Sequence, residues 1–259
     1  MFSMKKLFVL LLTFLFAGPA LARPLLVAAA SDLGYCIDEL VAAYRKTAPA
    51  VEPKVSLGAS GNFFAQIRNG APFEVFLSAD MDYPRQLIQL GAAEGQAPVP
   101  YAIGRIALWS LDPQIDPARA LAALLADERV KRFAIANPVT APYGRAAKAA
   151  LQRDGVWDKA QAKLVIGENI AQTAQFVQTG NAQAGIISFA TLHSTKLKGV
   201  GRYALIPSNG LAPIEQGAVV TRAGAANPHA AGFVRFLGSP EARAILTRNG
   251  FGLPAGAAE

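Results

Sequence analysis

The sequence predicts an α/β protein built on largely parallel sheets. Two observations carry that prediction. Short apolar runs alternate with stretches of helical spacing along nearly the whole chain, and that alternation is the mark of strand–helix–strand units. The chain is also long and apolar, with 259 residues of which 52% are hydrophobic. Folding at that size buries roughly 70–75% of the unfolded surface, so a core needs no cross-links. The single cysteine excludes a disulfide framework within the chain.

Taken in order, residues 1–22 read as a secretory signal peptide. Lys5 and Lys6 precede an apolar run at 7–17, and Ala20-Leu21-Ala22 forms a small-x-small cleavage signature. The run is shorter than the ~20 apolar residues a membrane-spanning helix needs. The mature chain is therefore expected to be soluble outside the cytoplasm, most simply in a bacterial periplasm. Residues 25–29 are a buried-strand candidate. Leu33, Ile37, Leu40, Val41 and Tyr44 follow with helical spacing. Strands are predicted at 55–57, 75–77, 103–109, 133–136, 164–166, 185–187, 203–207 and 218–220. Between and after them, helices are predicted from Phe63, near 84–90, at 117–125, 144–153 and 171–179, and near 228–237 and 240–249. Gly250 suits the position just past the last of these helices. The length accommodates one large sheet or two lobes. In the second case, strands 103–109 and 216–220 would carry the chain out and back.

Several function classes fall away on composition and spacing. Lys and Arg outnumber Asp and Glu by 25 to 18, a formal net charge of +7, but they form no dense run. Nucleic-acid binders concentrate such charge in a stripe or patch. The mild surplus of positive charge instead suits attraction of small anions. Ser60 in Gly58-Ala59-Ser60-Gly61 does not match the Gly-x-Ser-x-Gly nucleophile turn. His193 and His229, the two histidines, have no metal-ligand spacing with each other or with Cys36. Gly199-Val200-Gly201 precedes a predicted strand instead of joining strand to helix, so it is no dinucleotide fingerprint. Cys36 falls in the first helical pattern as a small buried residue. As the chain's one thiol, it is also the one nucleophile a cysteine enzyme on this fold could use.

The informative positions are four turns where strands hand over to helices. Ala28-Ala29-Ala30-Ser31-Asp32 and Gly58-Ala59-Ser60-Gly61-Asn62 place serines at expected helix N-caps. Asn137 to Gly144 leads into a third helix, with Pro142 suited to its first turn. Gly167-Glu168-Asn169-Ile170 opens a fourth, with Asn169 as its cap. Helix N-termini expose unpaired N–H groups at the positive end of the helix dipole. Several aimed at one point bind an oxyanion without any lysine or arginine. The serine hydroxyls add donors, and Gly58 and Gly61 permit close backbone approach. In open α/β sheets, ligands sit beyond the carboxyl ends of the strands, where these turns lie.

At these turns the sequence resembles the periplasmic molybdate-binding proteins of ABC importers. The resemblance rests on Ala28-Ala-Ala-Ser-Asp-Leu33, and on Gly58-Ala-Ser-Gly-Asn62 running through to Gly70-Ala-Pro-Phe-Glu-Val-Phe-Leu-Ser-Ala-Asp80. It also rests on Asn137-Pro138 with Ala141-Pro-Tyr-Gly144, and on Gly167-Glu-Asn-Ile170 with Gly180-Asn-Ala-Gln-Ala-Gly-Ile-Ile187. It implies a two-lobed periplasmic binding protein of type II, each lobe a mostly parallel sheet flanked by helices, with the ligand in the cleft. Lobe 1 would comprise 23–106 and 217–259, and lobe 2 would comprise 107–216. The implied ligand is molybdate, and tungstate with it. The implied oxyanion-binding residues are Ser31 and Ser60 from lobe 1, Tyr143 and Ile170 from lobe 2 through their backbone N–H groups, and the N–H of Asp32. All would act on the oxyanion's oxygens and none on the metal directly. The Asp32 carboxylate is expected to face away from a dianion and to stabilise its helix N-terminus. If it faced the ligand, a protonated oxyanion such as hydrogen phosphate would fit better. One branch of the family uses a tyrosine hydroxyl where this sequence has Ser188. The resemblance further implies a membrane permease as partner, no chemistry on the ligand and no cofactor, and a monomer is the simplest expectation. Phosphate or sulfate is the alternative ligand.

Overall fold

The structure is a computed structural model that describes residues 24–194 and 196–255. The predicted signal peptide lies outside the described residues. Ten strands form two five-stranded sheets. They are β1 (Leu25–Ala30), β2 (Pro53–Gly58), β3 (Val75–Ser78), β4 (Val99–Gly104), β5 (Ile106–Ser110), β6 (Phe133–Ala136), β7 (Leu164–Gly167), β8 (Ala184–Ser188), β9 (Arg202–Leu205) and β10 (Ile214–Val220). The first sheet has the order β2-β1-β3-β10-β4 and the second the order β7-β6-β8-β5-β9. Helices α1 (Ile37–Thr47), α2 (Ser60–Arg68), α3 (Asp82–Gln89), α9 (Pro228–Phe236) and α10 (Pro240–Arg248) go with the first sheet. Helices α4 (Leu121–Ala126), α5 (Pro142–Arg153), α6 (Trp157–Gln161), α7 (Ile170–Gln178) and α8 (Phe189–Leu192) lie in the segment that builds the second.

Both sheets are mixed: in each, four strands run one way and a single strand is reversed, so the mostly parallel expectation holds with one exception per sheet. β1 pairs in parallel with β2 and β3, but β10 runs antiparallel to both β3 and β4. The second sheet repeats this plan: β6 is parallel to β7 and β8, and β5 is antiparallel to β8 and β9. The reversed strands are those next to the crossings between sheets. Residues 103–109, expected as one strand, divide into β4 and β5 at Arg105, and each half joins a different sheet. The return runs through residues 206–213, and β10 begins at Ile214, within the first sheet.

The central strands β1 and β3 of the first sheet are buried on both faces, as strands covered by helices on either side should be. Leu25, Val27 and Ala29 of β1, with Val75 and Leu77 of β3, face a core shared with α1, α9 and α10. Their alternates, Ala28 and Phe76, face a second core with Phe63 and Ile67 of α2 and Leu87 of α3. This is the period-2 alternation of a strand. The second sheet has its own core around Trp109, Phe133, Ile135 and Leu151. Ala30, Ala59 and Ala79, at the ends of first-sheet strands, are packed into that same cluster. The two lobes therefore meet through small residues at the carboxyl ends of β1, β2 and β3.

Candidate functional site: a cavity between four helix N-termini

The four turns singled out above converge on one small cavity. Ser31 and Asp32, Gly58 and Ser60, Tyr143, and Ile170 all line it. Among the described residues, its lining contains no Lys, Arg or His. Each side chain named is nearly withdrawn from solvent: Ser31, Asp32, Ser60, Tyr143 and Ile170 are all buried. The structure thus brings together every sequence-predicted site residue. Ser188 is also fully buried but does not line the cavity.

The serines sit one position later than expected. Ser31 is the first residue of a 3₁₀ turn (Ser31–Tyr35) capped by Ala30, and Ser60 is the first residue of α2, capped by Ala59. The difference matters chemically. An N-cap serine accepts a hydrogen bond from the N–H groups of its own helix, whereas here the cap positions are held by alanines, which offer no side-chain acceptor. Ser60 Oγ instead accepts from the Ala79 N–H at 3.0 Å. That contact fixes the oxygen and leaves its proton available to a ligand. Asn169 is a true N-cap: its Oδ1 accepts from the Ala171 and Gln172 N–H groups, both at 3.0 Å. Pro142 occupies the first turn of α5 and directs the following backbone N–H groups toward the helix end.

Gly61 does not approach the ligand space, as expected of it, but the opposite lobe. Its N–H donates to Thr140 O at 2.8 Å. A Cβ there would lie 2.6 Å from Tyr83 Oη and 2.7 Å from Thr140 O. Further contacts close the same rim. Tyr83 Oη donates to Val139 O at 3.2 Å, and Asn62 Nδ2 donates to Glu168 Oε1 at 3.0 Å. The Arg145 guanidinium pairs with the Asp80 carboxylate and lies over the Tyr83 ring.

Behind the cavity lies a buried polar cluster that sequence reasoning missed. Gln216 of β10 is fully buried. Its Nε2 donates to Asp32 Oδ2 at 2.6 Å and to Tyr143 Oη at 3.2 Å, and its Oε1 accepts from Tyr101 Oη at 2.7 Å. Asp32 Oδ1 and Ser188 Oγ are buried without a hydrogen-bond partner among the described residues. Burial raises the Asp32 carboxyl above its ordinary range, against the Gln216 hydrogen bond, which lowers it. Burial likewise holds the Tyr101 and Tyr143 phenols well above theirs, so both stay protonated donors at neutral pH. No signal in the sequence joins Gln216 to Asp32, which is 184 positions away. Of the other candidates, Cys36 is buried at the start of α1 with its thiol pushed up mainly by burial. His193 packs edge-on against Phe189, and His229 lies in the first turn of α9. Among the described residues, no group of three His, Cys, Asp or Glu side chains is disposed to hold a metal ion.

Two sheet lobes joined by two crossings, with a polar, cation-free cavity between them, define a solute-binding protein. The chain belongs to the bacterial extracellular solute-binding protein family, whose model matches residues 25–252. It is similar to the molybdate-binding protein ModA of Azotobacter vinelandii, with 37% identity over 97% of this chain and 99% of that protein. It is similar also to ModA of Rhodobacter capsulatus, with 36% identity over 91% of this chain and 90% of that one. Among solved structures, the Azotobacter vinelandii periplasmic molybdate-binding protein superposes with a TM-score of 0.82. That match has 33% identity and covers 89% of this chain and 99% of that one.

Proposed function

We propose that this protein binds molybdate, and tungstate with it, in the cavity between its lobes and delivers the ion to the membrane permease of an ABC importer. The observation that carries this reading is the convergence of four helix N-terminal turns and two serines on one cation-free cavity. Such a site offers only N–H and O–H donors, and helix dipoles supply the positive field. The names of its relatives single out the anion.

In this reading, Ser31 and Ser60 donate their hydroxyls and N–H groups, and Asp32, Tyr143 and Ile170 donate N–H groups. Each charge-assisted bond contributes about 1.5–3 kcal/mol before the costs of desolvation and closure. A dianion taken out of water needs a donor for every oxygen. With its Oδ2 held by Gln216, the Asp32 carboxyl is turned from the anion, which favours a fully deprotonated ion over hydrogen phosphate. Sulfate is discriminated by size, since donors fixed on helix ends for a larger tetrahedron stand too far from its oxygens.

The lobes close about the two crossings, at Arg105 and at residues 206–213, as a hinge. The ligand bridges them, and the closed form docks on the permease. The protein acts as a periplasmic monomer exported through its signal peptide, and it performs no chemistry on its cargo.

Calorimetric titration with molybdate, tungstate, sulfate and phosphate tests this proposal. Tight binding of the first two alone is expected. Binding of phosphate or sulfate in their place would overturn the assignment of the ligand.

A further inference from the structure

We propose that Gln216 is a positioning residue that couples the two lobes when the cleft closes on its anion, through one amide shared between Asp32 and Tyr143. The proposal rests on the oxyanion reading of the cavity and adds a residue that does not line it.

The geometry is that of a clasp. Gln216 sits in the first sheet, on the strand that follows the return crossing, where the pairing of β10 with β4 shifts register between Gln216 and Gly217. Tyr101, on the neighbouring β4, donates its hydroxyl to Oε1 at 2.7 Å. Asp32 Oδ2, a carboxylate acceptor, fixes Nε2 as the end of the amide that faces the cleft. The two Nε2 hydrogens then have two acceptors, one on each lobe: Asp32 Oδ2 at 2.6 Å and Tyr143 Oη at 3.2 Å.

Asp32 and Tyr143 both line the anion cavity, and each reaches Gln216 with the far end of its side chain. Tyr143 is a rigid connector. Its backbone stands in the first turn of α5, and its ring extends to the hinge, where its hydroxyl packs against the Cα of Gly104 so closely that a Cβ there would collide with it. In this proposal, opening of the second lobe draws Tyr143 Oη away from Gln216 Nε2. In the closed state the bond lies in a site removed from solvent, where a lost partner is costly.

The test compares the unmodified protein, Gln216→Leu, Tyr143→Phe and the double variant. Molybdate affinity is measured by calorimetry, dissociation by stopped flow, and compaction on binding by small-angle scattering. Tyr143→Phe keeps the backbone N–H at the cavity and the Gln216–Asp32 bond, and it removes the hydroxyl that meets Gln216, Asp32 and Ser188. It is expected to weaken molybdate binding about 3- to 10-fold, and Gln216→Leu about 10- to 100-fold. In both, the loss should appear in the dissociation rate, with the association rate within about threefold. The double variant should lose less than the product of the two single losses, because the substitutions share the Gln216–Tyr143 bond.

Affinities and dissociation rates within about twofold of the unmodified protein would overturn the proposal, as would losses that multiply in the double variant. Should Gln216→Leu fail to fold, Tyr143→Phe alone decides through its dissociation rate. Failure of the unmodified protein to bind molybdate is a separate result. It would overturn the reading of the cavity, and the clasp with it.

Discussion

Ser60→Ala is the substitution whose consequences follow most directly from the site. Ser60 is buried, and its Oγ accepts the Ala79 N–H at 3.0 Å. Its proton is thereby left for the anion. Removing the hydroxyl has two separable effects. The anion loses one charge-assisted donor, about 1.5–3 kcal/mol, which corresponds to roughly a 10- to 150-fold rise in Kd. The Ala79 N–H loses its acceptor in a buried position, at about 1–3 kcal/mol of folding stability. For a protein of this size each kcal/mol lowers Tm by about 2–4 °C. Calorimetric titration reads the first effect and thermal unfolding without ligand reads the second. Ligand-free Tm should fall, and molybdate should restore less of it than in the unmodified protein, because the shift follows the ratio of ligand concentration to Kd. A fall in Tm with Kd unchanged would refute the reasoning. Ser60 would then be a structural acceptor only, and the anion would lie elsewhere.

Three further outcomes are expected. Gly61→Ala places a methyl 2.6 Å from Tyr83 Oη and 2.7 Å from Thr140 O. Closure should weaken by about 1–3 kcal/mol, a roughly 5- to 150-fold loss of molybdate affinity, and small-angle scattering should show a less compact bound state. Arg145→Ala removes a partly exposed cross-lobe ion pair with Asp80. Its cost should stay below about 1 kcal/mol, less than about a fivefold change in Kd, and should shrink as salt is raised in the titration. Cys36 is buried and its thiol is raised by burial, with the Asp32 and Glu39 charges adding to it. A thiol reagent at pH 8 should therefore leave the native protein unlabelled and react once denaturant is added.

The legibility of this protein in its sequence divides by range. The Asn169 cap and Pro142 were readable because both act within one helical turn. Ser31 and Ser60 line the cavity but stand one residue later on their helices than the caps the sequence suggests. A serine before a helix and one at its first position look alike in sequence, and only the competition between backbone and tertiary partners separates them. β4 was hidden because it is an edge strand: Pro100 interrupts it and its outer residues are exposed, so it carries no continuous apolar run. Arg105 was hidden inside what read as one strand because nothing local marks a change of sheet. The antiparallel course of β5 and β10 depends on where the chain crosses between lobes, which strand–helix alternation does not encode. Gln216 was invisible for the same reason. Its partners Tyr101, Asp32 and Tyr143 come from β4, from the first turn and from the other lobe, and only the folded chain puts them around one amide.

The central claim is that one tetrahedral anion sits between four helix N-termini, and the most direct measurement is a crystal structure of the protein grown with tungstate. Tungsten's anomalous signal fixes the ion's position independently of the protein model. The account predicts a single strong peak in the cavity between Ser31, Ser60, Tyr143 and Ile170, within hydrogen-bonding reach of their hydroxyl and N–H groups through the oxyanion's oxygens. A peak on the surface, or an ion held by lysine and arginine side chains, would contradict it.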